Sequence, residues 1–267
     1  MLTVSVVGEV FDGRYRLQQR LGGQRDVGVF RADDLSLARS VVLRIAGPEA
    51  EPALARQARC LRSLQFDSSH VVSVLDEGMT PDGGRYIATN LIEGTSLDQL
   101  AATRGPLPAD EAALIGLQLL DAALAARRVV PEGLNTVPAS AIVDRDGLLR
   151  VTRFEDQTTV GPQDPACPMT ATLLHELLTG VEPRAGESVA DRGRSVPQGV
   201  TEVIDQTLAG TILTAEELRG RLSEARKRIP QAVPSPPPPL RLWHVVTAVI
   251  VLLAITVAVI AAVIFGG

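Results

Sequence analysis

Through Asn90 the chain runs in short stretches rich in β-branched residues, and beyond Leu107 its apolar positions take up helical spacing. YRLQQRL (15–21), VGVFRA (27–32) and SVVLRIA (40–46) predict three antiparallel strands, separated by Gly22, Gly23 and the polar DDLSLARS. EPALARQARCLRSL (51–64) sets Leu54, Ala58, Leu61 and Leu64 at helical intervals, and VVSVLDEG (71–78) and RYIATNLIEG (85–94) return to strand character. From Leu107 to Arg128 a long helix is expected, with Leu114, Leu117, Leu120 and Leu124 as its apolar stripe. AIV and LLRV flank DRDG, whose Asp146-Gly147 pair predicts a hairpin turn. TATLLHELLTG reads as a helix stopped by Gly180, and TAEELRGRL opens on a Thr214/Glu217 capping box. The order predicts an α+β chain: a small β-rich lobe, then a larger helical lobe containing one hairpin.

The last part of the chain follows a different pattern. From Val245 to Phe265 no residue is charged and the only polar side chains are Thr247 and Thr256. Such a run satisfies the roughly 20 apolar residues that an α-helix needs to cross about 30 Å of hydrocarbon. A buried core helix is the alternative, disfavoured because every face is apolar and Trp243 sits at the edge, as at a membrane interface. Arg226, Lys227, Arg228 and Arg241 all precede the run, so the positive-inside rule places the preceding region in the cytoplasm. PQAVPSPPPPL (230–240) is read as an extended spacer, with a PxxP ligand as the alternative. The expected divisions are 1–229, a folded domain; 230–240, a Pro-rich juxtamembrane linker; and 241–267, a transmembrane helix.

Composition narrows the function classes. The 267 residues include 45% hydrophobic ones, which excludes a wholly disordered chain. With 26 Lys plus Arg against 31 Asp plus Glu there is no excess of positive charge, so nucleic acid is not an expected partner. Cys60 and Cys167 stand far apart without a CxxC or a nearby His, and suggest neither a disulfide framework nor a zinc site. Nearly all the cations are arginines, and Lys227 is the single lysine.

In that order, GRYRLQQRLG, VVLRIA, YIATNLIEGTSL and LLHELLTG resemble the opening strand, third strand, hinge and central helix of bacterial eukaryotic-like serine/threonine protein kinases. The resemblance runs from about Glu9 to Arg228 and implies a bilobal protein-kinase-like fold, followed by the one transmembrane helix. It also implies positions for the chemistry: a glycine loop over the phosphates, a lysine gripping them, a glutamate holding the lysine, a catalytic base and a metal-binding aspartate.

At each position this chain departs. The three glycines of the loop fall on Gly22, Gln24 and Val27. The lysine position is Arg44 and its helix partner is Gln57. In GLNTVPAS the base becomes Asn135 and the metal-ligating asparagine becomes Ser140. The DFG motif becomes Arg153-Phe154-Glu155, a cation where an aspartate would draw Mg2+, with Glu155 or Asp156 as the shifted alternative. The buried aspartate that heads the central helix falls near Ala166, with Asp164 two residues away as a replacement. The counts of lysine and histidine support this without any alignment: Lys227 lies at the far end, and His70, His175 and His244 all lie outside the catalytic loop.

The resemblance therefore implies a pseudokinase: no catalytic residue, no cofactor, no metal, a scaffold or regulator of cell-envelope machinery at the cytoplasmic face of the cell membrane, as in similar actinobacterial envelope proteins. The alternative is a kinase or other ATP-using transferase with residual or relocated activity. Two readings of Arg44 stay open, a solvated strand cation or a phosphate contact; Arg153 is read as a surface or interface cation or as a ligand contact. Thr158 and Thr159 lie in the remnant of the segment that active relatives phosphorylate. They are the candidate phosphosites, for an active kinase acting in trans and a forkhead-associated domain as reader; ordinary solvated threonines are the alternative.

Overall fold

Alternation of apolar and polar residues builds one antiparallel sheet at the start of the chain. In a computed structural model, residues 7–24, 26–66, 68–104, 106–129, 134–135, 138–156, 162–192 and 195–230 are described. The sheet contains β1 (Val10–Phe11), β2 (Tyr15–Gln24), β3 (Val27–Asp34), β4 (Arg39–Ala46), β5 (Val74–Met79) and β6 (Arg85–Asn90), in the order β1-β2-β3-β4-β6-β5. Because side chains alternate across a strand, one face carries Tyr15, Leu17, Phe30, Val41, Leu43 and Tyr86 as a small core of its own. The other face presents Val29, Val42 and Arg44, with Ile87 opposite Arg44 in register.

Helix α1 (Glu51–Leu64) buries Leu54, Ala58, Leu61 and Leu64, as their spacing predicts. Its side chains join the larger core, which also contains Ala46 and Ile87 and the interior of the helical lobe. The loop after α1 is bound to the helical lobe through backbone groups: Val72 N donates to Val151 O at 3.0 Å and Val151 N to His70 O at 2.8 Å. That pairing is why β5 begins at Val74 rather than at the expected Val71, which instead bridges Val151 in parallel.

The helical lobe holds β7 (Gly94–Ser96), α2 (Leu97–Arg104), α3 (Ala109–Val129), β8 (Leu134–Asn135), β9 (Ala141–Asp144), β10 (Leu149–Val151), β11 (Glu155–Asp156), α4 (Ala166–Thr179), α5 (Gln198–Leu208) and α6 (Ala215–Lys227). The predicted hairpin is β9–β10, and the Asp144 carboxylate accepts from the amides of Asp146 and Leu148 in its turn. α4 ends at Gly180 in the left-handed region, φ +82°, and Thr214 Oγ1 caps α6 by accepting from Glu217 N. Gly116 of α3 lies against Leu174 of α4 and Leu222 of α6, so these helices form the lobe's centre.

Two helices add to the expectation. α5 has a legible pattern in Val200, Val203, Ile204 and Thr207, all buried, whereas α2 lacks a clear apolar stripe and is fixed by its neighbours. The chain divides into two units, Met1–Ile229 and Pro230–Gly267. Among the described residues no helix is long and apolar enough to cross a membrane, and the Val245–Phe265 run lies outside them.

Candidate functional site

The site expected from the resemblance forms where the face of β4 opposite the Tyr15–Leu43 core meets the segment leaving β10. Arg44 is 7% exposed, which corrects its reading as a solvated strand cation. Its strand alternation points it away from the Tyr15–Leu43 core, and its register neighbours on that face are Val29 on one side and Ile87 on the other. The guanidinium donates from Nη1 to Thr152 O at 2.6 Å and from Nη2 to Thr152 Oγ1 at 3.2 Å. Thr152 is in turn tied to Ser140: its amide donates to Ser140 O at 2.7 Å and its hydroxyl to the same oxygen at 3.0 Å. Arg153 Nε donates to the buried Ser140 Oγ at 3.2 Å.

Electrostatics sharpen the picture. Burial, helped by the positive charge of Arg153, pulls the Arg44 pKa down to about 10, so the side chain remains a cation at neutral pH. Its guanidinium thus bonds a carbonyl and a hydroxyl. Gln57, at the position of the carboxylate partner, keeps its Oε1 buried without a hydrogen-bond partner. Glutamine at that position supplies no charge. Thr152 is the residue that sequence reasoning missed. Its only signal is its place immediately before Arg153.

At the glycine-loop remnant β2 and β3 stay paired through Gly22↔Val29, Gly23↔Gly28 and Gln24↔Val27. Gly23, not Gly22, is the residue the backbone needs: its φ is +134° and a Cβ would run into Val27 O, whereas a Cβ on Gly22 meets nothing. The turn is also held to the end of β4, since Gly47 N donates to Asp26 O at 2.9 Å.

Asn135 pairs through its backbone with Glu155, as β8 runs antiparallel to β11. The structure thus brings Arg44, Ser140 and Arg153 together around Thr152, and Asn135 beside Glu155. The side chains of Gln24, Asn135, Glu155 and Asp156 and the whole of Thr158 and Thr159 lie outside the described residues. Asp164 does head α4: its Oδ1 accepts from Ala166 N at 3.0 Å. Among the described residues no cluster of three His, Cys, Asp or Glu is arranged to hold a metal. Cys60 and Cys167 are buried free thiols, raised by burial to about 11 and about 12.

No family model matches the chain. It is similar to the serine/threonine-protein kinase PrkC of Bacillus subtilis, 28% identical over 155 residues, covering 56% of this chain and 24% of the relative. PknL of Mycobacterium tuberculosis is 26% identical over 245 residues, 75% of this chain and 60% of PknL. PknE of Mycobacterium bovis is 30% identical over 222 residues, 70% of this chain and 38% of PknE. The chain spans less than two thirds of the length of each of these relatives. The sheet lobe, the helical lobe and these similarities together make the chain a kinase-like protein, similar to bacterial serine/threonine protein kinases.

Proposed function

We propose that the chain is a pseudokinase, a scaffold or regulator without phosphoryl transfer, anchored at the cytoplasmic face of the cell membrane by the Val245–Phe265 run and acting on cell-envelope machinery. The observation that supports this most is the engagement of Arg44. The cation at the phosphate-gripping position is buried on Thr152 at 2.6 Å, and the Gln57 oxygen beside it in the family pattern has no partner. A phosphate would have to displace a carbonyl and a hydroxyl from a desolvated guanidinium, with no aspartate at Arg153 to bring Mg2+. Its partners in this reading are proteins, an active kinase and a forkhead-associated reader of Thr158 or Thr159 among them.

The test is transfer of labelled phosphate from ATP with Mg2+ or Mn2+, by the full chain purified in detergent, to itself and to a generic basic protein. No incorporation is expected. Incorporation abolished by Asp156→Asn establishes the second reading, relocated activity, for which the pairing of Glu155–Asp156 with Leu134–Asn135 is the supporting observation.

A further inference from the structure

We propose that Arg44 is an interlobe pin, holding the sheet lobe against the helical lobe in the place where a bound nucleotide would join them. Arg44 belongs to β4, in the middle of the six-stranded sheet, and Thr152 follows β10 in the helical lobe. The bond therefore crosses between lobes, 108 positions apart in sequence. Thr152 is no loose acceptor: both its amide and its hydroxyl are anchored on Ser140 O, at 2.7 and 3.0 Å.

The same short stretch, Leu149–Thr152, is held from a second direction by the loop after α1. His70 Nδ1 lies 3.1 Å from Leu149 O, and Val72 N donates to Val151 O. β10 and its exit are thus a ledge gripped by that loop and by Arg44. A charged donor on a carbonyl is stronger than a neutral hydrogen bond, and separating the lobes would leave the half-buried Thr152 carbonyl and hydroxyl without this donor. The inference deepens the proposed function, since it rests on the reading of the cleft as non-catalytic: a scaffold that shows one surface to partners holds its lobes in one arrangement without ligand.

Hydrogen exchange on the full chain in detergent, read by mass spectrometry, tests it. Arg44→Lys and Arg44→Met are expected to speed exchange about tenfold in peptides covering 39–46 and 141–154, with 215–227 unchanged. Thr152→Val removes one of the two acceptors and gives a smaller rise in the same peptides. Global melting is not the readout, because Arg44→Met also relieves the cost of burying a charge. Millimolar ATP, with or without Mg2+, is expected to leave the wild-type pattern unaltered.

Unchanged exchange in the Arg44 variants, a uniform rise that includes 215–227, or protection of 39–46 and 141–154 by ATP in the wild type overturns the pin. Should the Arg44 variants fail to fold, unchanged exchange in Thr152→Val overturns it alone. Phosphate transfer would refute the non-catalytic reading instead, so the two failures are distinguishable.

Discussion

Arg127, in the last turn of α3, places Nη1 2.7 Å from the Asp164 carboxylate, whose oxygens also accept from the amides of Ala166 and Ala215. One side chain thereby joins the end of α3 to the beginnings of α4 and α6. The Asp164 side chain is 4% exposed and that of Arg127 is 35% exposed, so the two partners are not equivalent. Arg127 can turn to water when its partner is lost, whereas the two helix-start amides cannot.

Asp164→Ala is accordingly expected to cost about 2–4 kcal/mol, chiefly from the two stranded amides. Arg127→Met is expected to cost about 1–2 kcal/mol, because Asp164 keeps both amide donors. Urea unfolding of both variants checks the ranking. An Arg127 variant as damaging as the Asp164 variant would show that the ion pair, not the amide caps, dominates.

A pH dependence follows from the sheet lobe. Arg14 grips Asp34 with two bonds, Nε to Oδ1 at 2.8 Å and Nη2 to Oδ2 at 2.7 Å, and Asp34 is 1% exposed. The guanidinium holds the Asp34 carboxyl down at about 2, from an ordinary 3.8. A depressed carboxyl contributes stability that is complete above its unfolded value and lost as pH falls through the folded one. The wild type is therefore expected to lose stability between pH 4 and about 2, and Asp34→Asn to be less stable at pH 6 but to lose less than the wild type in that window. Urea midpoints for both chains at pH 6, 4 and 2.5 decide it; parallel losses would assign the acid sensitivity elsewhere.

The two adjacent glycines of the phosphate-loop remnant separate cleanly. Gly22→Ala is expected to be close to neutral, and Gly23→Ala to cost about 1–3 kcal/mol through its φ of +134° and the approach of Val27 O. Thermal unfolding compares them. Equal effects would refute the backbone assignment.

For the C-terminal run, the full chain is expected to sediment with membranes and to resist alkaline carbonate extraction. A chain ending at Pro230 is expected to be recovered in the soluble fraction. Recovery of the full chain in the soluble fraction would remove the proposed anchor.

Period, turns and caps were legible in the sequence because they are local. Leu54, Ala58, Leu61 and Leu64 lie on one face of α1, Asp146-Gly147 closes a hairpin and Thr214 caps α6, each set by neighbours within a few positions. The identities at Arg44, Gln57 and Arg153 were equally plain, and with the order of elements they carried the resemblance to kinases. What those residues touch was not legible. Whether Arg44 faces water, phosphate or protein depends on Thr152, 108 positions away, and whether Gly22 or Gly23 is indispensable depends on how β2 meets β3. Sequence spacing specifies which face of an element is apolar, but the partner of a buried polar group is chosen by long-range packing, where desolvation makes each donor take whichever acceptor the fold brings within reach.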